Sequence, residues 1–316
     1  MLTKTNKISV VIPAYNAEKS IQKALKSLKD QSLKSFEIIV VDDGSIDKTA
    51  EIAQPLVSKV IKTENRGPAA ARNIGIQHTS GEIIALIDSD CQAEKTWVEN
   101  INRVFADTDI SVIMGKVIIP PSNFVGDAIS ALGFPAGGSI GFDKVWKVTS
   151  EGYTNTLSTC NCAFKKEIFN KFGPFNEDFR YAGGEDTLFA AKIIRAGIKI
   201  KYCQEVKVFH EPRTSLLSFM RWQVQRGKCA LEFKRKIGGV GSFAKTRLWS
   251  TKNVIIAFCN DRKFPLILLL IFLSYVLQSF GFLIAYGNCS GRARRQKIGD
   301  SIQNTRAKSR NEKDTN

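Results

Sequence analysis

The chain has 316 residues, a net charge of +16 and seven cysteines. That length buries a full core, and one large α/β domain with an appendage is expected rather than two equal domains. The charge is not spread as on a nucleic-acid binder: residues 1–206 balance to +1 and residues 207–316 to +15, so nucleic acid is set aside as a partner and anionic membrane lipid is preferred for the basic third. The cysteines at 91, 160, 162, 203, 229, 259 and 289 are odd in number and scattered. Cys160 and Cys162 are too close for a usual zinc pair, and reduced, mostly buried thiols in a cytosolic compartment are expected.

Met1 to Lys7 is polar and leads straight into an apolar run, so no cleaved signal peptide is expected. Ile8–Ile12 reads as a strand, and Ala17–Lys29 as a helix with apolar residues at 21, 24, 25 and 28. Phe36–Val41 is a second strand ending at Asp42, with Ser45 or Asp47 able to cap a helix through Ala53. Val57–Ile61 reads as a third strand, Ala69–His78 as a small-residue helix after Gly67-Pro68, and Ile83–Ile87 as a fourth strand ending at Asp88. This alternation predicts a mostly parallel sheet with right-handed crossovers. Residues 115–150 are rich in Gly, Pro and Ser, and the spacing predicts an irregular insert lining an acceptor site. Beyond it come a helix over Leu188–Ala196, short strands at Ile198–Tyr202 and Val206–Phe209, and a basic amphipathic helix over Leu216–Lys236.

Acidic pairs follow two of these strands, where an open α/β sheet gathers ligand chemistry. Asp88-Ser89-Asp90 suits a hard divalent cation, because Mg²⁺ needs only one or two carboxylates when substrate phosphates supply the rest; turns also use Asp freely. Asp42 can accept a hydrogen bond from a base N–H edge, or shape a βα turn with Gly44-Ser45. Glu185-Asp186 opens the helix after Gly183-Gly184, where a carboxylate either caps the helix or takes a proton from an acceptor hydroxyl. His210 is a candidate third metal ligand, imidazole being acceptable to Mn²⁺, or a structural histidine. Arg72 pairs with a nucleotide base or diphosphate, or with a neighbour on the helix surface.

Together these stretches resemble the family 2 glycosyltransferases, which have the GT-A fold, Rossmann-like with a mostly parallel central sheet. The resemblance rests on Val10–Asn16, Asp42–Ser45, Ala71-Arg-Asn-Ile-Gly75, Asp88–Asp90, Asn161–Phe164 with Gly173-Pro-Phe175, and Glu185-Asp186, in that order over residues 8 to about 212. It implies inverting transfer from a nucleotide-sugar donor, UDP-sugars favoured, to a glycan or lipid-linked acceptor, assisted by Mg²⁺ or Mn²⁺. Pro13, Ala14, Tyr15, Asn16, Asp42, Asp43, Gly44, Ser45, Arg72, Asp88 and Ser89 would bind the donor, and Asp90 with His210 the metal. Asp186 would be the base with Glu185 beside it, and Asn161, Gly183, Gly184, Trp222 and Arg226 would face the acceptor. Two departures stand out. Cys91 replaces a further acidic residue found in many members, and Arg221-Trp222-Gln-Val-Gln-Arg226 is not the Gln-x-x-Arg-Trp of processive synthases.

Phe264 to Tyr286 carries no charge and is flanked by Arg262-Lys263 and by Arg292, Arg294, Arg295 and Lys297. About 20 such residues span a bilayer as a helix, and an in-plane interfacial helix is the alternative. The expected organisation is a catalytic domain over 1–212 (donor half 1–114, acceptor half 115–212), a basic amphipathic region over 213–263, a transmembrane or membrane-embedded helix over 264–286, and a basic disordered tail over 287–316, with the catalytic domain on the cytoplasmic face. A metal-dependent nucleotidyltransferase is the alternative activity, although Pro13–Asn16 lacks its Gly-rich basic loop. A non-catalytic, membrane-recruited nucleotide-sugar-binding protein is the other.

Overall fold

Strand β1 (Ile8–Ala14) is buried along its whole length, the pattern of a parallel strand covered on both faces. The computed structural model describes residues 6–107, 109–134, 136–179, 183–237 and 241–311, the side chains of 237, 241–244 and 288–311 excepted. After β1 the elements run α1 (Ile21–Lys29), β2 (Phe36–Asp42), α2 (Thr49–Ala53), β3 (Lys59–Lys62), α3 (Pro68–Gln77), β4 (Ile83–Ile87), β5 (Cys91–Ala93) and α4 (Trp97–Phe105). Then come β6 (Val112–Ile118), α5 (Phe124–Ala131), α6 (Phe142–Val145), β7 (Tyr153–Thr154), β8 (Asn161–Lys165), α7 (Lys166–Phe172), α8 (Glu185–Arg195), β9 (Ile200–His210), α9 (Leu216–Ile237), α10 (Gly241–Phe258) and α11 (Phe264–Asn311).

The strands form one sheet in the order β3-β2-β1-β4-β8-β6-β9-β5, with β7 added to β9. The β3-β2-β1-β4 half is parallel, as the sequence predicts. In register, Ala14 faces Asp42 across β1 and β2, so the loops after these strands emerge side by side. Beyond β4, strand β8 is antiparallel to both of its neighbours.

Helix α3 lies unusually close to this sheet. A Cβ at Gly75 would come within 2.3 Å of Val11 Cγ1 and 3.1 Å of Val41 Cγ2, so only glycine fits at this contact. The close approach buries Arg72, one turn earlier, at 2% exposure, which is why it is not a helix-surface residue.

Strand β9 corrects the two short strands expected at 198–202 and 206–209. It is one strand of 11 residues. Opposite Gly115 and Lys116 of β6, its partners jump from Cys203 to Lys207. The three extra residues, Gln204, Glu205 and Val206, form a bulge that the polar pair in the sequence disguised as a break. The bulge carbonyls are satisfied by side-chain amides: Asn100 donates to Glu205 O at 2.7 Å and Asn161 to Val206 O at 2.8 Å.

The 115–150 segment, expected to be irregular, carries α5 and α6. Asn123 caps α5 by accepting from Gly126 N–H at 2.7 Å. Helices α5, α9, α10 and α11 share a second apolar core that includes Ile129, Phe219, Val254, Ile267 and Leu270. The α9–α11 crossing is close enough that a Cβ on Gly227 would strike the Gln278 carbonyl, and one on Gly281 the Val224 carbonyl. Residues 287–311, expected to be disordered, continue α11 as helix to Asn311. No proline interrupts that stretch, and Arg, Lys, Gln and Ala are strong helix formers.

Candidate active site

At the carboxyl ends of β1 and β2 the two loops are laced together. Asn16, at φ 49°, donates its backbone N–H to Ser45 Oγ at 2.8 Å, and its side-chain oxygen accepts from Ile46 N–H at 3.0 Å. Asp42 accepts from Ser45 N–H, three residues on, at 3.1 Å, which tightens the turn after β2. Gly44, at φ 77°, leaves no room for a side chain, since a Cβ would lie 2.9 Å from Asn65 N. Asp43 has both oxygens engaged, by Thr63 Oγ1 and Arg66 N–H at 3.0 Å each and by Gly67 N–H at 2.8 Å. It therefore fixes the entry to α3. Pro13 and Ala14 end β1 as buried backbone, while Tyr15 stands 51% exposed above it.

The end of β4 meets the start of α8 through Arg72. The guanidinium donates to Asp88 Oδ1 at 2.7 Å and to Glu185 Oε1 at 3.0 Å. Burial opposes its charge, but these two carboxylates outweigh burial and hold it above its ordinary value. Glu185 is 1% exposed and also accepts from Gly183 N–H at 2.9 Å. Burial, reinforced by the adjacent Asp186, pushes its carboxyl up to about 7 against the pull of Arg72. Asp186 uses Oδ1 to accept from Thr187 N–H at 2.7 Å and Gly184 N–H at 3.3 Å. Burial raises its pKa as well.

The short β5–β9 ladder pairs Cys91 with His210, and Glu211 N–H donates to Asp90 O at 2.9 Å. This brings His210 Nε2 to 3.5 Å from Asp90 Oδ1, although 120 residues separate them. His210 Nδ1 lies 2.8 Å from Glu211 O; as a donor there it leaves Nε2 with its lone pair toward Asp90, the arrangement a metal-binding imidazole requires. Asp90, Cys91 and His210 place their ligand atoms within 4.8 Å of one another. Burial drives the Cys91 thiol well above its usual range, so the donor set that fits a hard divalent cation is Asp90 and His210.

These groups face a cavity of about 440 Å³, lined by Arg72, Asp88, Asp90, Glu185, Asp186 and His210 on the sheet side and by Ser130, Phe134, Arg213, Trp222 and Arg226 on the helix side. Behind Asp186 is a smaller cavity of about 150 Å³, mainly apolar, lined by Phe134, Trp146, Leu157, Cys229, Phe233 and Gln278 among others. Asp186, Gly183 and Arg226 line both. Trp222 lies between two guanidinium groups, Arg213 at 5.0 Å and Arg226 at 5.1 Å from its ring, and Arg226 also stacks at 4.6 Å on Phe134. Burial, with Arg247 nearby, brings Arg226 down to about 10, which leaves it charged at neutral pH.

The structure thus gathers Arg72, Asp88, Asp90, Gly183, Glu185, Asp186, His210, Trp222 and Arg226 around one cavity, and Gly184 borders the smaller one. Tyr15, Asn16 and Asp42–Ser45 lie at the neighbouring sheet edge and do not line it; Ser89, partly exposed between Asp88 and Asp90, also lies off its wall. Asn161, expected on the acceptor side, is a correction. It is fully buried, accepts from Trp97 Nε1 at 2.9 Å and donates to the Lys116 and Val206 carbonyls, so its amide is fully engaged inside the core. Arg213 was not anticipated, because the basic stretch around it reads as lipid-facing.

Residues 9–173, just over half of the chain, match the model of glycosyl transferase family 2. The chain belongs to that family. It is 28% identical over 219 residues to the glycosyltransferase AglE of Haloferax volcanii, covering 65% of this chain and 67% of that one. It is also 25% identical to the chondroitin synthase of Pasteurella multocida, over 65% of this chain but 24% of the synthase. The putative glycosyltransferase EpsH of Bacillus subtilis is 39% identical over 34% of this chain and 33% of its own length. Several curated relatives are thus matched over only a quarter to a third of their length. Two solved structures share the fold. The mannosyltransferase PcManGT of Pyrobaculum calidifontis, in complex with GDP-Man and Mn²⁺, has a TM-score of 0.55 at 18% identity, over 92% of this chain and 81% of that one. S. aureus TarS 1–349 in complex with UDP has 0.52 at 19%, over 90% and 92%. The chain is therefore a glycosyltransferase with a GT-A-like curled sheet, and the mixed α/β fold read from its sequence holds.

For this transferase the Glu185 environment sets a pH signature. A carboxyl with a raised folded-state pKa stabilises the fold below its ordinary value of 4.5, and that contribution is lost as pH rises through about 7. Relative to Glu185→Gln, the unsubstituted chain should therefore lose melting temperature across this window when no metal is added. A difference between the two that does not vary with pH, read by calorimetry, would contradict the assignment.

Proposed function

We propose that the transferase moves a sugar, with inversion, from a nucleotide-diphosphate sugar, UDP-sugars favoured, to a hydroxyl of a lipid-linked or cell-envelope glycan acceptor. The observation that carries this reading is the position of Asp186, shared by the polar cavity that contains Asp88, Asp90 and His210 and by the apolar cavity behind it. A donor held on the first side presents its anomeric carbon toward an acceptor hydroxyl arriving from the second.

In this mechanism Asp186 takes the proton of the acceptor hydroxyl as that oxygen bonds to the anomeric carbon and the bond to the diphosphate oxygen breaks. Asp42 and Tyr15 contact the base, and Asp88, held by Arg72, contacts the ribose. Arg213 and Arg226 face the diphosphate from the helix side, where fixed positive charge favours the leaving group. Asp90 and His210 Nε2 would hold Mg²⁺ or Mn²⁺, which when bound neutralises charge developing on the diphosphate. The catalytic domain works at the cytoplasmic face of a membrane, where its apolar and basic C-terminal helices meet lipid.

A thermal-shift series of nucleotide sugars with Mn²⁺, Mg²⁺ or chelator tests the donor side. A ligand at 100 times its Kd stabilises by about 2.7 kcal/mol. Stabilisation by a UDP-sugar that requires the cation, and that loses the cation-dependent part in Asp90→Asn and His210→Ala, is expected. A cation-independent shift, equal in the variants, would remove the metal from this reading.

A further inference from the structure

The residues Phe264–Gly287 at the start of α11 form a helical stretch long and apolar enough to cross a membrane, about 36 Å at 1.5 Å per residue. What it packs against argues for a different placement. We propose that this stretch lies in the plane of an anionic membrane surface and does not cross the bilayer.

The first ground is the neighbour. Helix α9 accompanies α11 along most of the apolar stretch, with contacts that advance together. Phe219 shares a core with Ile267 and Leu270. Gly227 and Val224 abut Gln278 and Gly281, Gln223 accepts from Gln278, and Lys234 lies 5.8 Å from the Phe282 ring. Helix α9 carries exposed Arg221, Lys234, Arg235 and Lys236 and lines the polar cavity with Trp222 and Arg226. A bilayer-crossing α11 would take this charged helix, and the cavity that must admit a water-soluble donor, into hydrocarbon, where such charges are costly.

The second ground is that α11 is two-faced. Its inner face packs Ile267 and Leu270 into the second core and is polar farther along: Gln278 and Ser274 accept from Arg247 of α10, whose guanidinium lies 4.2 Å from the Tyr275 ring, and Tyr275 is hydrogen-bonded to Thr251 at 3.0 Å. Its outer face exposes Leu268, Phe272, Val276, Phe280 and Leu283 at steps of three or four residues. Such a face sinks about 5–10 Å into the headgroup and acyl boundary. The third ground is charge. Arg262-Lys263 precede the stretch and Arg292, Arg294, Arg295 and Lys297 follow it. A crossing helix divides these cations between two sides, whereas an in-plane helix sets them all against the same anionic leaflet.

The test uses the full chain in vesicles of phosphatidylglycerol and phosphatidylcholine, with a different epitope tag at each terminus. Protease added outside should remove both tags to the same extent; a protected C-terminal tag beside a digested N-terminal one overturns the proposal. Single substitutions Leu268→Trp, Val276→Trp and Leu283→Trp, with the native tryptophan signal subtracted, then read depth through quenching by brominated lipids. Equal, shallow depths are expected, and a maximum at position 276 overturns the proposal. Neither measurement involves sugar transfer, so the placement stands or falls separately from the proposed reaction.

Discussion

Asp186→Asn should lower the turnover of sugar transfer about 10²–10⁴-fold, the usual contribution of a positioned general base, while leaving donor affinity unchanged. The substitution is well isolated. Asp186 accepts two backbone N–H groups through one oxygen, Oδ1, and an asparagine carbonyl can take over both, so the start of α8 should keep its geometry. What the amide removes is the basic oxygen beside the two cavities. At about 1.36 kcal/mol per tenfold, the expected loss is roughly 3–5 kcal/mol of transition-state stabilisation. A labelled-sugar assay reads turnover, and nucleotide-sugar titration of the same preparation reads binding. Turnover within a factor of three of the unsubstituted enzyme would eliminate Asp186 as the base. Unchanged turnover with weakened binding would move it to the donor side.

The second large effect is expected at Arg72, on stability as well as binding. Its guanidinium bridges Asp88 and Glu185 at 2% exposure. Removing one partner from a buried ion-pair network typically costs about 3–5 kcal/mol, because the remaining charges are stranded without compensation. Arg72→Met should therefore lower the urea midpoint markedly and, by releasing Asp88, weaken donor binding. Arg72→Lys should recover little, since a single ammonium cannot present two separated N–H groups to two carboxylates. A loss below 1 kcal/mol in Arg72→Met would mean that the bridge does not form in solution.

Most of the parallel half of the sheet was legible in the sequence because β1, β2 and β4, buried over most of their length, read as largely apolar runs, with an Asp at or just after the end of β2 and β4; the partly exposed β3 offered only Val60 and Ile61 between lysines. Ile83–Ile87 came out to the residue. The other half was harder. Helix α5 was hidden by the Gly, Pro and Ser around it, although Asn123 is an ordinary N-cap. Strand β9 was split in two because a bulge and a loop both put polar residues into an apolar run. Asn161 was misplaced because its acceptor-side role came from the family resemblance, which carries no information on burial; in this fold its amide is spent inside the core. Arg72 was identified as important, but its burial depends on Gly75 letting α3 settle onto the sheet, a contact that no local pattern announces. The pairing of Asp90 with His210 was legible as chemistry, whereas the β5–β9 ladder that achieves it was not.

The β9 bulge bears on more than the path of one strand. Side chains alternate across a strand with a period of two, and the bulge inserts three residues, an odd number. Were Gln204–Val206 drawn into regular pairing with β6 instead, Lys207–His210 would slip by three positions to the opposite face of the sheet, and the imidazole would point away from Asp90. The amides of Asn100 and Asn161, which touch no part of the cavity, thus work as a parity device. By holding the extra carbonyls of Glu205 and Val206, they support the register in which β5 and β6 pair with the last residues of β9. Two asparagines in the core thus help to hold the register of a site that neither of them reaches.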